Sequence, residues 1–288
     1  MEPRSGFYTA RRLQLHYLEW GDPAAPPVML IHGGRDHARS WDAIATDLAA
    51  SYRVIVPDLA GHGDSEWVSS GEYRVNGHAF DIAHLIVLLG FEKLPLVGHS
   101  LGGHIATRIA AARPETVTRL VSIEGLGPSP SMMAERAAVP LALQVRRWLD
   151  DAEAIETRRP RRYPTIEAAL ARMREQNTHL SAELALHLTR HGLRQNDDGS
   201  WSWKFDNRFY LVVHERATAE ELHELWSAVA CPTLLIYGAE SWASNPAKDG
   251  RAAYFPDARV AVVENAGHWS HHDREDVVLP LIRDFLAE

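Results

Sequence analysis

Cysteine is almost missing from this chain: among 288 residues Cys231 stands alone, which excludes an internal disulfide and fits a reducing compartment. Long apolar runs are missing too. No stretch approaches the ~20 residues needed to cross a bilayer, and residues 1–13 lack the apolar core of a signal peptide. A cytoplasmic protein that does not enter a membrane is therefore expected. Nor is there an excess of basic charge. Lys and Arg number 30 against 38 Asp and Glu, a net charge of −8, so no basic face for nucleic acid is foreseen. The one basic cluster, Arg158-Arg159-Pro160-Arg161-Arg162, reads as a solvated loop. Histidine is plentiful, with 16 copies. Yet His32, His99, His104, His268, His271 and His272 show neither the His-Glu-x-x-His nor the Cys-x-x-Cys spacing of metal ligands. No metal and no cofactor is expected on that ground.

What is present is a rhythm. Short apolar runs alternate with helical patterns, the mark of a mostly parallel sheet covered by helices. Leu13 to Trp20 alternates and reads as an early antiparallel strand. Val28-Met29-Leu30-Ile31, Val54-Ile55-Val56, Leu94-Pro95-Leu96-Val97 and Leu120-Val121-Ser122-Ile123 read as buried strands. Helices are expected over Ser40 to Leu48, around Phe80 to Leu89, and after residue 100. From about Gly127 to Thr218 the rhythm breaks and helical segments predominate: Pro140 to Leu149, Ile166 to Arg174, and Glu183 to Leu188 with Ser181 as N-cap. Trp201, Trp203 and Phe205 alternate after Asp198-Gly199, which suggests a short hairpin. The sheet resumes with Thr233 to Tyr237 and Val260 to Val263, and an amphipathic helix runs from Val277 to Leu286. Cys231, just before Pro232, reads as packing rather than chemistry.

One pentapeptide carries chemistry. Gly98-His99-Ser100-Leu101-Gly102 lies between a buried strand and a helix whose apolar face is Ile105, Ala106, Ile109 and Ala110. Gly-x-Ser-x-Gly in that context is a nucleophile elbow, a turn so tight that small residues must flank the serine. It lifts the Ser100 hydroxyl out of the sheet and aims a helix N-terminus at what lies in front. A serine nucleophile needs a base, and His268 follows the last strand in Gly267-His268-Trp269. An imidazole suits the task because its ordinary pKa lies near neutrality.

With these motifs in view, the chain resembles the α/β-hydrolase family over nearly its whole length. His32-Gly33-Gly34 matches the family's motif after the third strand. Asp58-Leu59-Ala60-Gly61-His62-Gly63-Asp64-Ser65 matches its Asp-x-x-Gly-x-Gly-x-Ser loop, in which Asp58 and Asp64 read as loop caps. The resemblance implies an eight-stranded sheet, with residues 1–126 and 219–288 as the core domain and 127–218 as a helical cap. It also implies an oxyanion hole made by the Leu101 amide and, by the position after His-Gly, the Gly34 amide. Many relatives place an acid three residues after the glycine that ends the seventh strand. Here that glycine is Gly238 and the position holds Ser241, which cannot bear charge against an imidazolium. Glu124, ending the sixth strand, is the expected acid, as in the branch that includes many haloalkane dehalogenases; Glu240 is the alternative. Serine at the elbow argues against dehalogenase or epoxide-hydrolase chemistry, which uses a carboxylate nucleophile. The expected activity is hydrolysis of a small, fairly apolar carboxylic ester or lactone through an acyl-enzyme. Carbon–carbon bond hydrolysis and acyl or perhydrolase transfer are the alternatives within the fold. A hydrolase-like receptor with little turnover is the alternative outside enzymology. Trp148, Trp201 and Trp203 serve equally well as lining of an acyl pocket or as packing.

Overall fold

The computed structural model describes residues 2–157, 159–210 and 217–288. Among the described residues there are ten strands: β1 (Arg4–Ala10), β2 (Leu13–Trp20), β3 (Pro27–Ile31), β4 (Arg53–Pro57), β5 (Leu94–His99), β6 (Val117–Ile123), β7 (Leu193–Gln195), β8 (Trp201–Trp203), β9 (Thr233–Gly238) and β10 (Ala258–Val263). Eight of them make one sheet in the order β1-β2-β4-β3-β5-β6-β9-β10. β2 runs antiparallel to β1 and β4, and the remaining pairs are parallel. β1 escaped the sequence reading, because it is an edge strand that buries only Tyr8 and Ala10 while Phe7 points outward, 55% exposed.

Central strands are apolar on both faces because helices cover both. Met29, Ile31, Ile55, Leu96, Leu120 and Leu235 point to one layer. There they meet α2 (Val75–Leu88), α3 (Leu101–Ala112) and α8 (Ala219–Ser227) through Ile82, Ile105, Ile109 and Trp226. Val28, Leu30, Val54, Val56, Val97 and Val121 point the other way, to α1 (Asp42–Leu48) and α10 (Glu275–Ala287), met by Leu48 and Ile282. The period-2 alternation of side chains across the sheet thus produces two cores from continuous apolar runs.

Between β6 and β9 lie α4 (Pro130–Ala137), α5 (Leu141–Thr157), α6 (Ile166–Gln176), α7 (Ala182–Gly192) and the β7–β8 hairpin. Among the described residues of this stretch no strand joins the large sheet. Ser181 caps α7 as expected, its side chain accepting the Leu184 amide at 3.1 Å. α5 extends eight residues beyond the expected Leu149, and α4 was not foreseen. Trp201 and Trp203 pack on Tyr163, Ala169 and Leu193, a small core between the hairpin and α6, while Trp148 is half-buried on α5. Arg162 of the basic cluster pairs with Asp198, and Arg158 lies outside the described residues. Cys231 is buried against the first core, where burial pushes its thiol up to about 11. No helix among the described residues is long and apolar enough to cross a membrane.

Strand order locates the crevice. From β3 the chain steps outward to β4, then crosses back to β5 on the other side of β3. The loops leaving the C-terminal ends of β3 and β5 therefore diverge, and open α/β sheets bind ligands in the gap so formed.

Candidate active site

The sheet brings His32, Ser100, Glu124 and Gly238 to the same edge, at the ends of β3, β5, β6 and β9. Ser100 sits at φ 50° and ψ −114°, a strained setting for a residue with a side chain. Its amide donates to the Ile123 carbonyl at 2.8 Å, which ties the turn to β6. The flanking glycines leave no choice of residue. A Cβ on Gly98 would fall 2.3 Å from the Gly102 carbonyl oxygen, and one on Gly102 would fall 2.1 Å from the Ile31 oxygen. That second approach presses the first turn of α3 against the end of β3. The Leu101 amide belongs to this first turn, where a helix leaves its N–H groups without internal acceptors.

The loop after β3 is fixed by its own histidine. His32 Nε2 accepts the Leu59 amide at 3.0 Å, so its Nδ1 carries the proton and donates to the Gly33 carbonyl at 2.7 Å. Burial pushes this imidazole down to about 3, so it stays neutral and the tautomer holds. Gly33 lies against Ser100, since a Cβ there would be 3.3 Å from Ser100 Cβ. Gly34 lies under the ring of Phe209, which a Cβ would meet at 2.6 Å. Phe209 was not singled out in the sequence; one aromatic in a helical stretch carries no signal of what it covers.

Glu124 is buried at the end of β6 with φ 55°. Its Oε1 accepts the Gly238 amide at 2.7 Å, and its Oε2 accepts the Ser241 hydroxyl at 2.8 Å. The same Oε2 stands 3.4 Å from His268 Nδ1, just beyond the roughly 2.7–3.2 Å of a well-formed N–H···O bond. Glu240, the alternative acid, is exposed; its amide bonds to the Ala266 carbonyl. The residue in the usual acid position is therefore not idle. Ser241 helps to hold the Glu124 carboxylate.

His268 is also held from behind. Its carbonyl accepts from His99 Nε2 at 2.9 Å, and the two rings lie 5.0 Å apart. Trp242, 68% exposed, places its ring 4.7 Å from that of His268 on the open side. Of the loop acids, Asp58 behaves as a cap. It accepts the Ala38 amide at 2.7 Å and the Asp64 amide at 3.0 Å, and it meets His16 Nδ1 at 2.7 Å. Asp64 pairs with Lys204 at 2.7 Å.

This fold and the elbow at its switch point define an α/β hydrolase. The sequence model of the alpha/beta hydrolase fold matches residues 26–275, and the chain belongs to that family. It is 32% identical over 257 residues to the 3-hydroxybutyrate-oligomer hydrolase of Cupriavidus necator, covering 83% of this chain and 82% of that protein. It is 27% identical over 276 residues to esterase Rv0045c of Mycobacterium tuberculosis, covering 93% of this chain and 85% of the relative. Among solved structures, the thioesterase domain from the curacin biosynthetic pathway superposes with a TM-score of 0.82 at 28% identity. That match covers 98% of this chain and all of the other. Relatives that carry the names esterase and hydrolase support an ester hydrolase.

Proposed function

We propose that the chain is a serine esterase that cleaves a small, fairly apolar carboxylic ester or lactone through an acyl-enzyme. Ser100 Oγ attacks the carbonyl while His268 takes its proton, and Glu124 orients the imidazole and stabilises the imidazolium. The amides of Leu101 and Gly34 receive the oxyanion, each donor contributing about 3 kcal/mol at the transition state. Water then attacks the acyl-enzyme, with His268 again as base. Residues 127–218 act as a cap over the core formed by 1–126 and 219–288, and Phe209 bears on the oxyanion loop.

The observation that carries this reading is the Glu124 carboxylate. One of its oxygens meets both the Ser241 hydroxyl and His268 Nδ1. The 3.4 Å separation suits a resting site, where such bonds are long and tighten as the imidazolium forms. An acid at the end of β6 also favours ester hydrolysis over the carbon–carbon alternative, whose acid typically follows the seventh strand of the sheet. The relative named for 3-hydroxybutyrate oligomers points to short hydroxyacid esters as the first substrates to try. The lone buried cysteine fits a cytoplasmic setting.

Turnover of short p-nitrophenyl esters and lactones, together with fluorophosphonate labelling, tests the assignment. Ser100→Ala is expected to lower kcat by at least ~10³-fold and to abolish labelling. Activity near wild type in that variant would sink the assignment. Labelling of the native protein without turnover on any ester would indicate a receptor instead.

A further inference from the structure

Behind the base lies a set of polar side chains that the hydrolytic reading does not use. His271 and His272 sit on the short helix α9 (Ser270–Asp273), and Asp36 comes from the loop that follows Gly34. One ligand-capable atom from each lies within 4.8 Å of the other two. His271 is 1% exposed, and neither of its ring nitrogens has a hydrogen-bond partner among the described residues. The same holds for His272 Nε2 and for Asp36 Oδ2. Ser40 comes near the Asp36 carboxylate without reaching hydrogen-bond geometry. Buried polar atoms left in this condition are costly, and so many in one place call for a shared partner.

We propose that Asp36, His271 and His272 form a binding site for one divalent transition-metal ion of the zinc type. Two imidazoles from one short helix and a carboxylate from a loop are a donor set that such ions accept, with a fourth position left for water. The carboxylate is already turned for the task, because its Oδ1 accepts the His37 amide at 2.9 Å and leaves Oδ2 free. His271 is held between the ring of Trp41, stacked at 4.9 Å, and that of His99 at 4.4 Å. The rings of His271 and His272 are 4.0 Å apart. Binding would close these three nitrogen and oxygen atoms from this spread onto the roughly 2.0–2.2 Å bonds of a four-coordinate ion.

Electrostatics agree with the geometry. Burial drives the His271 pKa well below its usual value and that of His272 down to about 3. Both rings are thus neutral and able to ligate at neutral pH. Burial likewise raises the Asp36 carboxyl, a burden that a bound dication relieves. Two other clusters fail the same comparison. Asp42 is engaged by Arg39 and His187, and Asp58 by His16 and two backbone amides. The proposed ion would join the loop that follows Gly34 to the helix that follows His268, so its occupancy bears on both. The site stands whether or not the esterase reading does. It departs from the sequence expectation of no metal, because adjacent histidines and an aspartate 235 residues away match no spacing rule.

Titration of tag-free, chelator-stripped protein with Co²⁺, followed by its visible ligand-field absorption, tests the site directly. One ion per chain with bands of a four-coordinate N/O site is expected, together with a rise in the Zn²⁺-bound melting temperature. His272→Gln and the isosteric Asp36→Asn should each weaken binding roughly a hundredfold, whereas His268→Ala should retain it. Absence of a stoichiometric spectrum, with identical melting in Zn²⁺ and chelator, would overturn the proposal and leave buried water as the partner. Binding lost in His268→Ala but kept in His272→Gln would also overturn it, by placing the ion on the proposed base.

Discussion

Glu124 combines three unusual conditions: a positive φ, nearly complete burial, and two donors besides the histidine. A carboxylate in that setting is held where it is because rotating away would strand both the Gly238 amide and the Ser241 hydroxyl. Comparison of Glu124→Gln with Glu240→Gln tests its role. The first should lower kcat on a p-nitrophenyl ester by ~10³–10⁴-fold, and the exposed second should stay within about threefold of wild type. A thousandfold larger loss in Glu240→Gln would reverse the assignment. Sequence reasoning reached Glu124 because Ser241 cannot carry charge. It did not reach the bond by which Ser241 supports Glu124, since a hydroxyl's partner is written nowhere in its neighbours along the chain.

Among elements, the elbow joins β5 to α3 at a clearance only glycine permits. The expected cost of closing that clearance is large. In Gly102→Ala the new methyl carbon would meet backbone oxygens of Ile31 and His32, at 2.1 and 2.7 Å, rather than a side chain able to move aside. Overpacking of this kind costs about 1–3 kcal/mol, occasionally more. A urea midpoint lowered accordingly, with weaker fluorophosphonate labelling, is expected; an unchanged midpoint would mean that α3 shifts freely. The elements themselves were legible to different degrees. Strands β3 to β6 and β9 announce themselves because helices bury both faces. β1 buries one face at the sheet edge, so its pattern is faint. α5 leaves Leu141, Leu143, Val145 and Leu149 exposed, and its true length is not set by any apolar stripe.

Over the whole molecule, buried neutral histidines couple stability to pH. Desolvation holds His32 at about 3 and His62 at about 4, and it drives His78, His99 and His271 well below the ordinary 6.5. The unfolded chain binds protons at these sites below about pH 6.5 while the folded chain does not. Stability conferred by the neutral rings is therefore complete above that pH and is lost as pH falls toward the folded values. Each such ring contributes a slope of about 1.4 kcal/mol per pH unit within the window. A handful of them exhausts the ~5–15 kcal/mol of an ordinary domain within two or three units. Urea midpoints followed by circular dichroism should fall steadily from pH 6.5, with cooperative structure lost near pH 4. A midpoint constant between pH 7 and 4 would contradict this account.

The alternation of strands and helices, the tight serine turn, the chain order of Ser100, Glu124 and His268, and the break in rhythm after Gly127 are all legible along the chain. These are local properties, set by periodicity, steric limits at glycine and the chemistry of each side chain. Which distant residues meet depends on the folded chain: Glu124 with His268, 144 positions on, Ser241 with that same carboxylate, and Asp36 with His271 and His272. The reason is strand order. Sequence spacing says nothing about which strand ends become neighbours, and it is the order β5-β6-β9-β10 that sets the ends carrying Ser100, Glu124, Ser241 and His268 side by side.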